Sequence, residues 1–268
     1  MPLLKLLDGL QRWRGVVLAS TVVVATIWLA LTNQLILYIH PRYVVFTVIM
    51  AVLALVFIVA SFALGRDGGD GHAHDVDHDH AVEVPSERQG ALDRAVTVAA
   101  IVVSVAIGAS LVIVPPATLT SATSDQREIN STGVGADVVS VDDANEASEG
   151  AFAAFTVLDW ASLLRQSSDT SFYDGKPVDV VGFVTADDDD PENVFYVSRF
   201  IVTCCAVDAQ PVGVPVYAPG WQDDLALDQW VRATGEFTTN PSRLSSQAIA
   251  LDPDDIAVVG VPDEPYLF

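Results

Sequence analysis

Two short stretches hold the residue types that do chemistry. The only two cysteines are adjacent, in "RFIVTCCAVDAQPVG" at residues 199–213, with Asp208 three positions beyond Cys205. Four of the five histidines crowd into "GDGHAHDVDHDH": His72, His74, His78 and His80, interleaved with Asp70, Asp75, Asp77 and Asp79. Thiolate, imidazole and carboxylate are the ligands of zinc and its neighbours, so both stretches raise the question of a metal. The histidine run predicts zinc or nickel binding, by a loop whose Gly68, Gly69 and Gly71 do not favour a preformed site.

The cysteine pair admits three readings. In a regular strand neighbouring side chains point to opposite faces, and one thiol packs inward as a small apolar group. A disulfide between neighbours is strained, because adjacent Cα atoms are only ~3.8 Å apart. If instead the strand breaks at Thr203–Cys205, both thiols turn the same way and Asp208 supplies an oxygen. Cys-Cys-x-x-Asp is not a standard zinc spacing. The expected arrangement has one thiol packed inward and the other presented beside Asp208.

The elements that position these residues follow from hydropathy and charge. Three runs are apolar and long enough to cross a bilayer, which takes ~20 residues: 16–39, 44–64 and 95–114. Lys5, Arg12 and Arg14 precede the first, and Arg66, Arg88 and Arg94 lie between the second and third. This asymmetry predicts a cytoplasmic N-terminus, a cytoplasmic His/Asp-rich loop at 66–91 and an extracytoplasmic C-terminal domain in a multi-pass cell-membrane protein. Asn33 and Gln34 are polar interruptions near the end of the first run.

After Pro115 and Pro116 the composition changes. Of 35 acidic residues 26 lie beyond residue 114, against 6 of 13 basic ones, and this acidic half disfavours nucleic acid as a partner. Residues 115–150 read as a flexible acidic linker. An amphipathic helix is expected at 155–168, and strands at 177–185, 194–204, 212–217, 230–238 and 256–261, separated by turns such as "DDDDPEN" and "TTNPS". Gly182 and Gly235 fall where such a sheet must coil. The expected class is therefore a membrane α-helical region of three spans, followed at 151–268 by a small all-β domain: a leading helix and a five-stranded barrel of oligonucleotide/oligosaccharide-binding type, with a β-sandwich as the other possibility. No Ser–His–Asp set or phosphate-binding glycine loop appears, the outer domain holds no histidine, and no enzymatic activity is expected.

"RFIVTCCAVDAQPVG", "WVRATGEF" at 230–237, "LYIHPRY" at 37–43 and "PPATLTSATSDQREIN" at 115–130 resemble the YcgQ-like family of bacterial membrane proteins. The resemblance implies an accessory subunit of a two-component permease, working in the membrane lipid with a larger multi-span YcgR-like protein. It marks Arg199, Cys204, Cys205, Asp208, Ala209, Pro211, Trp230 and Gly235 as signature and candidate ligand-binding positions. The histidine run lies outside that signature. The competing functions are an extracytoplasmic zinc-type metal chaperone and a thiol redox protein.

Overall fold

The computed structural model describes residues 2–64, 87–113, 118–124, 127–131, 139–147 and 149–268, so the histidine run at 72–80 lies outside the described residues. The chain forms two units: Met1–Ile36 with Pro41–Ala117, and Leu37–His40 with Thr118–Phe268.

The first unit is helical: α1 (Pro2–Leu31), α2 (Pro41–Leu64) and α3 (Glu87–Ile113). Of the three expected spans, only α2 is long and apolar enough to cross a bilayer among the described residues. The first expected span is cut short at its end. Helix α1 carries Lys5, Asp8, Arg12 and Arg14 in its first half and stops at Leu31, because Asn33 turns left-handed at φ 57°. Helix α3 holds the expected third run from Ala95 to Ile113, with Glu87, Arg88, Asp93 and Arg94 in the turns before it. Val45, Phe46, Ile49, Leu53, Val56 and Phe57 of α2 are all exposed, an apolar surface suited to lipid rather than water. Thr26 of α1 and Ser104 of α3 donate to carbonyls of their own helices, Val22 and Ala100, so these hydroxyls have partners without water.

The second unit holds the β structure. Short helices α4 (Ser121–Ser124) and α5 (Val141–Glu146) lie within the stretch read as linker, and α6 (Val157–Gln166) and α7 (Thr170–Tyr173) follow. Helix α6 matches the expected amphipathic helix. A capping box between Thr156 and Asp159 starts it, and Val157, Trp160, Ala161 and Leu163 are its buried apolar side chains. Trp160 is fully buried and packs edge-on against Phe237 at 5.2 Å.

Six strands form one sheet: β1 (Val178–Ala186), β2 (Val194–Ile201), β3 (Gln210–Tyr217), β4 (Trp230–Thr239), β5 (Ile249–Val258) and β6 (Tyr266–Leu267). Their order is β1-β4-β5-β3-β2-β6, and β1 also pairs with β2, so the pairings of the first five strands return to their starting point. The five expected strands thus become six. The last of the five, expected at 256–261, begins earlier, at Ile249, and takes in the polar "LDPDD" at 251–255. That run stays in the ladder: the strand shifts register between Thr234 and Gly235, and Gly235 pairs with Pro253. The loops after β1 and β4 are tied together: Asp187 and Asp190 are buried and accept from the hydroxyls of Ser245 (3.1 Å) and Ser242 (2.5 Å).

Two glycines allow close backbone approach. A Cβ on Gly182 would overlap the Ser198 carbonyl, and one on Gly235 the Asp252 carbonyl. Alanine at either position is expected to cost about 1–3 kcal/mol in urea unfolding of the β unit. Gly260→Ala, where a Cβ meets nothing within 4 Å, serves as the neutral control. Equal midpoints for all three variants would contradict this packing.

Candidate metal centre

Strand β2 ends at Ile201, three residues before the expected end at Cys204. The carboxylate of Asp208 turns the chain: its two oxygens accept the backbone N–H groups of Thr203 (3.2 Å) and Cys204 (2.8 Å). A 3-10 turn, Ala206–Asp208, follows, in which the Asp208 N–H donates to the Cys205 carbonyl at 2.9 Å. Pro211 lies inside β3, opposite Phe200, rather than beyond the strand's end.

Neither thiol packs into the core, contrary to the expected division. Cys204 is exposed, Cys205 is half-buried, and both are free. Their neighbours Val202 and Ala209 point inward instead, joining Phe183, Phe200, Trp230 and Tyr266 in a small core cluster. The thiols converge, with the two sulfurs 3.5 Å apart. One ligand atom each from Cys204, Cys205 and Asp208 lies within 4.8 Å of the others.

That spacing suits one tetrahedral ion. With metal–sulfur bonds of about 2.3 Å, two thiolates on a tetrahedral centre stand about 3.8 Å apart. A linear two-sulfur site would need about 4.6 Å. Asp208 would add a third ligand of the oxygen type zinc accepts. Three protein ligands on an exposed turn leave a fourth position open to water or another ligand.

Without an ion the same contacts keep Cys204 protonated. Hydrogen bonding to Asp208, and then to Cys205, pushes its thiol up to about 12. Partial burial pushes the Asp208 carboxyl up, but the hydrogen bonds from the Cys204 thiol and from the N–H groups of Cys204, Thr203 and Cys205 outweigh it and hold the group below its ordinary value. A redox nucleophile needs the opposite, a depressed thiol pKa.

Other signature residues build the frame. Arg199 donates through Nε to the Pro265 carbonyl (3.0 Å) and through Nη2 to that of Glu264, and its guanidinium lies 5.5 Å from the Trp230 ring centroid. It thereby anchors the segment that leads into β6, which pairs in parallel with β2 at Phe200 and Ile201.

Three contributors reach the turn by contacts that no local pattern in the sequence reports. Arg127 donates to the carbonyls of Val207 (2.9 Å) and Ala209. Asn130 exchanges a pair of hydrogen bonds with the Gly213 backbone, at 2.9 and 3.0 Å. The α1–α2 connection docks through Leu37, which packs on the small cluster, and Ile39 forms an antiparallel bridge with Cys205. The unit therefore holds a histidine after all: His40 is buried, its ring 5.0 Å from Phe268. More than 160 residues separate the two halves of this contact, and no local pattern reports such a distance. The "LYIHPRY" and "PPATLTSATSDQREIN" motifs, the latter holding Arg127 and Asn130, were the available hints.

A helical segment with a bilayer-length helix, joined to a six-stranded β unit that displays a thiol–thiol–carboxylate turn, is the class of protein these features define. The family comparison is specific. The N-terminal domain of DUF1980 matches residues 14–130 and its C-terminal domain matches residues 156–268, so the chain belongs to the DUF1980 family of bacterial proteins. No curated protein and no solved structure matches it.

The metal-free protein should therefore alkylate slowly at Cys204 at pH 8, where its thiolate is scarce. Asp208→Asn weakens the main cause of the raised pKa and is expected to speed iodoacetamide labelling of Cys204 several-fold, read by peptide mass spectrometry. A slower or unchanged rate would contradict the assignment.

Proposed function

We propose that this protein is a membrane-anchored accessory subunit of a two-component permease, whose outer domain presents an open site for a thiophilic divalent cation of the zinc type. The observation that carries the reading is the convergence of the Cys204 and Cys205 sulfurs, 3.5 Å apart, on the same turn as the Asp208 carboxylate. The partner class, a multi-span YcgR-like permease, comes from the family resemblance. The ring of pairings β1-β4-β5-β3-β2, with β3 and β5 parallel, supports reading the β unit as a closed barrel of oligonucleotide/oligosaccharide-binding type.

Connectivity supports a multi-pass arrangement. Leu37–His40 and Thr118–Phe268 belong to one folded unit, so they share one side of any membrane. If α2 crosses from residue 41 to 64, the chain must cross back before residue 118, and α3 is the only helix described in that interval. The charge asymmetry around the helices favours a β unit outside the cell. Protease added to intact protoplasts is expected to cleave the β unit, and full protection of that unit would contradict this orientation.

The cation reading is tested by calorimetry on the full chain in detergent. Serine replaces His72, His74, His78 and His80 so that the histidine run adds no signal. One zinc ion per chain is expected, with affinity reduced at least ten-fold by either Cys204→Ser or Cys205→Ser. Unchanged affinity in the double variant would overturn it.

A further inference from the structure

Two thiols on consecutive residues meet only if the backbone between them is held out of regular strand geometry. Asp208 holds the turn from within. From the other side it is held by residues that precede it by more than 160 positions. The His40 N–H donates to the Cys204 carbonyl at 3.0 Å, and the Ala206 N–H donates to the Tyr38 carbonyl at 2.9 Å. Between these two bonds Ile39 stands opposite Cys205. Both cysteine peptides are therefore fastened to a three-residue strip of the α1–α2 connection, and Pro41, the residue after His40, begins α2.

We propose that Tyr38–His40 is a positioning element of the cation site, and that filling the site in turn fixes this connection at the start of α2. The inference rests on the cation reading of Cys204, Cys205 and Asp208. Its logic is preorganisation: a strip that holds the Cys204–Ala206 backbone in the chelating conformation removes the cost of ordering it when the ion arrives. Linkage makes the effect reciprocal. If the strip raises cation affinity by some factor, the cation tightens the strip's attachment by the same factor. Occupancy of an exposed turn in the β unit is then expressed, through one covalent step, at the first residue of the bilayer-length helix. An accessory subunit that reports its cargo to a membrane partner needs such a connection.

Hydrogen–deuterium exchange on the full chain, in the four-serine background and in detergent, tests the coupling. Zinc is expected to slow exchange at peptides covering 37–40 and 203–206 relative to chelator-treated protein, and to leave them unchanged when both cysteines are serine. Affinity supplies the second readout. His40→Pro deletes the N–H that Cys204 accepts and is expected to weaken zinc binding about ten-fold, the scale of one hydrogen bond. His40→Ala, which keeps that N–H, should bind like the parent. If His40→Pro fails to fold by circular dichroism, the exchange experiment decides alone. Zinc that binds at the cysteines without slowing exchange at 37–40 overturns the coupling and leaves the cation reading standing. A chain whose cysteines take up no zinc overturns both.

Discussion

The hydrogen bonds from the Thr203 and Cys204 backbone to the Asp208 carboxylate are the constraint on which the rest of this site depends. Continued for three more residues, β2 would send adjacent cysteine side chains to opposite faces of the sheet. The carboxylate ends the strand by offering its N–H groups another acceptor. One side chain thus makes the turn, brings two sulfurs to 3.5 Å, and contributes a third potential ligand atom. A carboxylate oxygen has two lone pairs, so holding the backbone does not exhaust its capacity to bind a cation.

Around that turn the chain gathers pieces that are remote in sequence. Strand β6 pairs with the end of β2, and the Val202 N–H donates to the Leu267 carbonyl at 2.9 Å. Arg199 holds the approach to β6, and Tyr266 accepts from the Leu119 N–H at 3.0 Å while sitting in the small cluster with Trp230. Arg127 and the Tyr38–His40 strip close the remaining sides. The signature residues Arg199, Trp230 and Ala209 act here as frame, and Cys204, Cys205 and Asp208 as the chemistry the frame presents. An exposed site on a well-braced turn reconciles accessibility to a ligand with small reorganisation when one binds.

Local pattern made much of this legible. The helical spacing of Val157, Trp160, Ala161 and Leu164 announced α6, and alternation announced β1. Local pattern failed where long-range pairing overrides propensity. The expected last strand began only at Ile256, after the Asp- and Pro-rich "DPDD", yet pairing with β4 across the register shift between Thr234 and Gly235 keeps that run in β5. Strand β6 is two residues long and exists only because β2 offers an edge. The first span was overextended because an apolar window does not register that Asn33 ends α1. The thiol site was half legible. The broken-strand alternative, with Asp208 one turn on, was open from the sequence, but the docking of His40 and Arg127 onto the turn was not.

The central claim is that two thiolates and a carboxylate on one turn bind a single tetrahedral cation. Zinc K-edge X-ray absorption on the full chain, with serine at His72, His74, His78 and His80 and one equivalent of zinc, tests it most directly. The account predicts two sulfur scatterers at about 2.3 Å with oxygen or nitrogen completing four-coordination, and loss of one sulfur in each single Cys→Ser variant. A first shell of oxygen and nitrogen alone in the unmutated turn would contradict it.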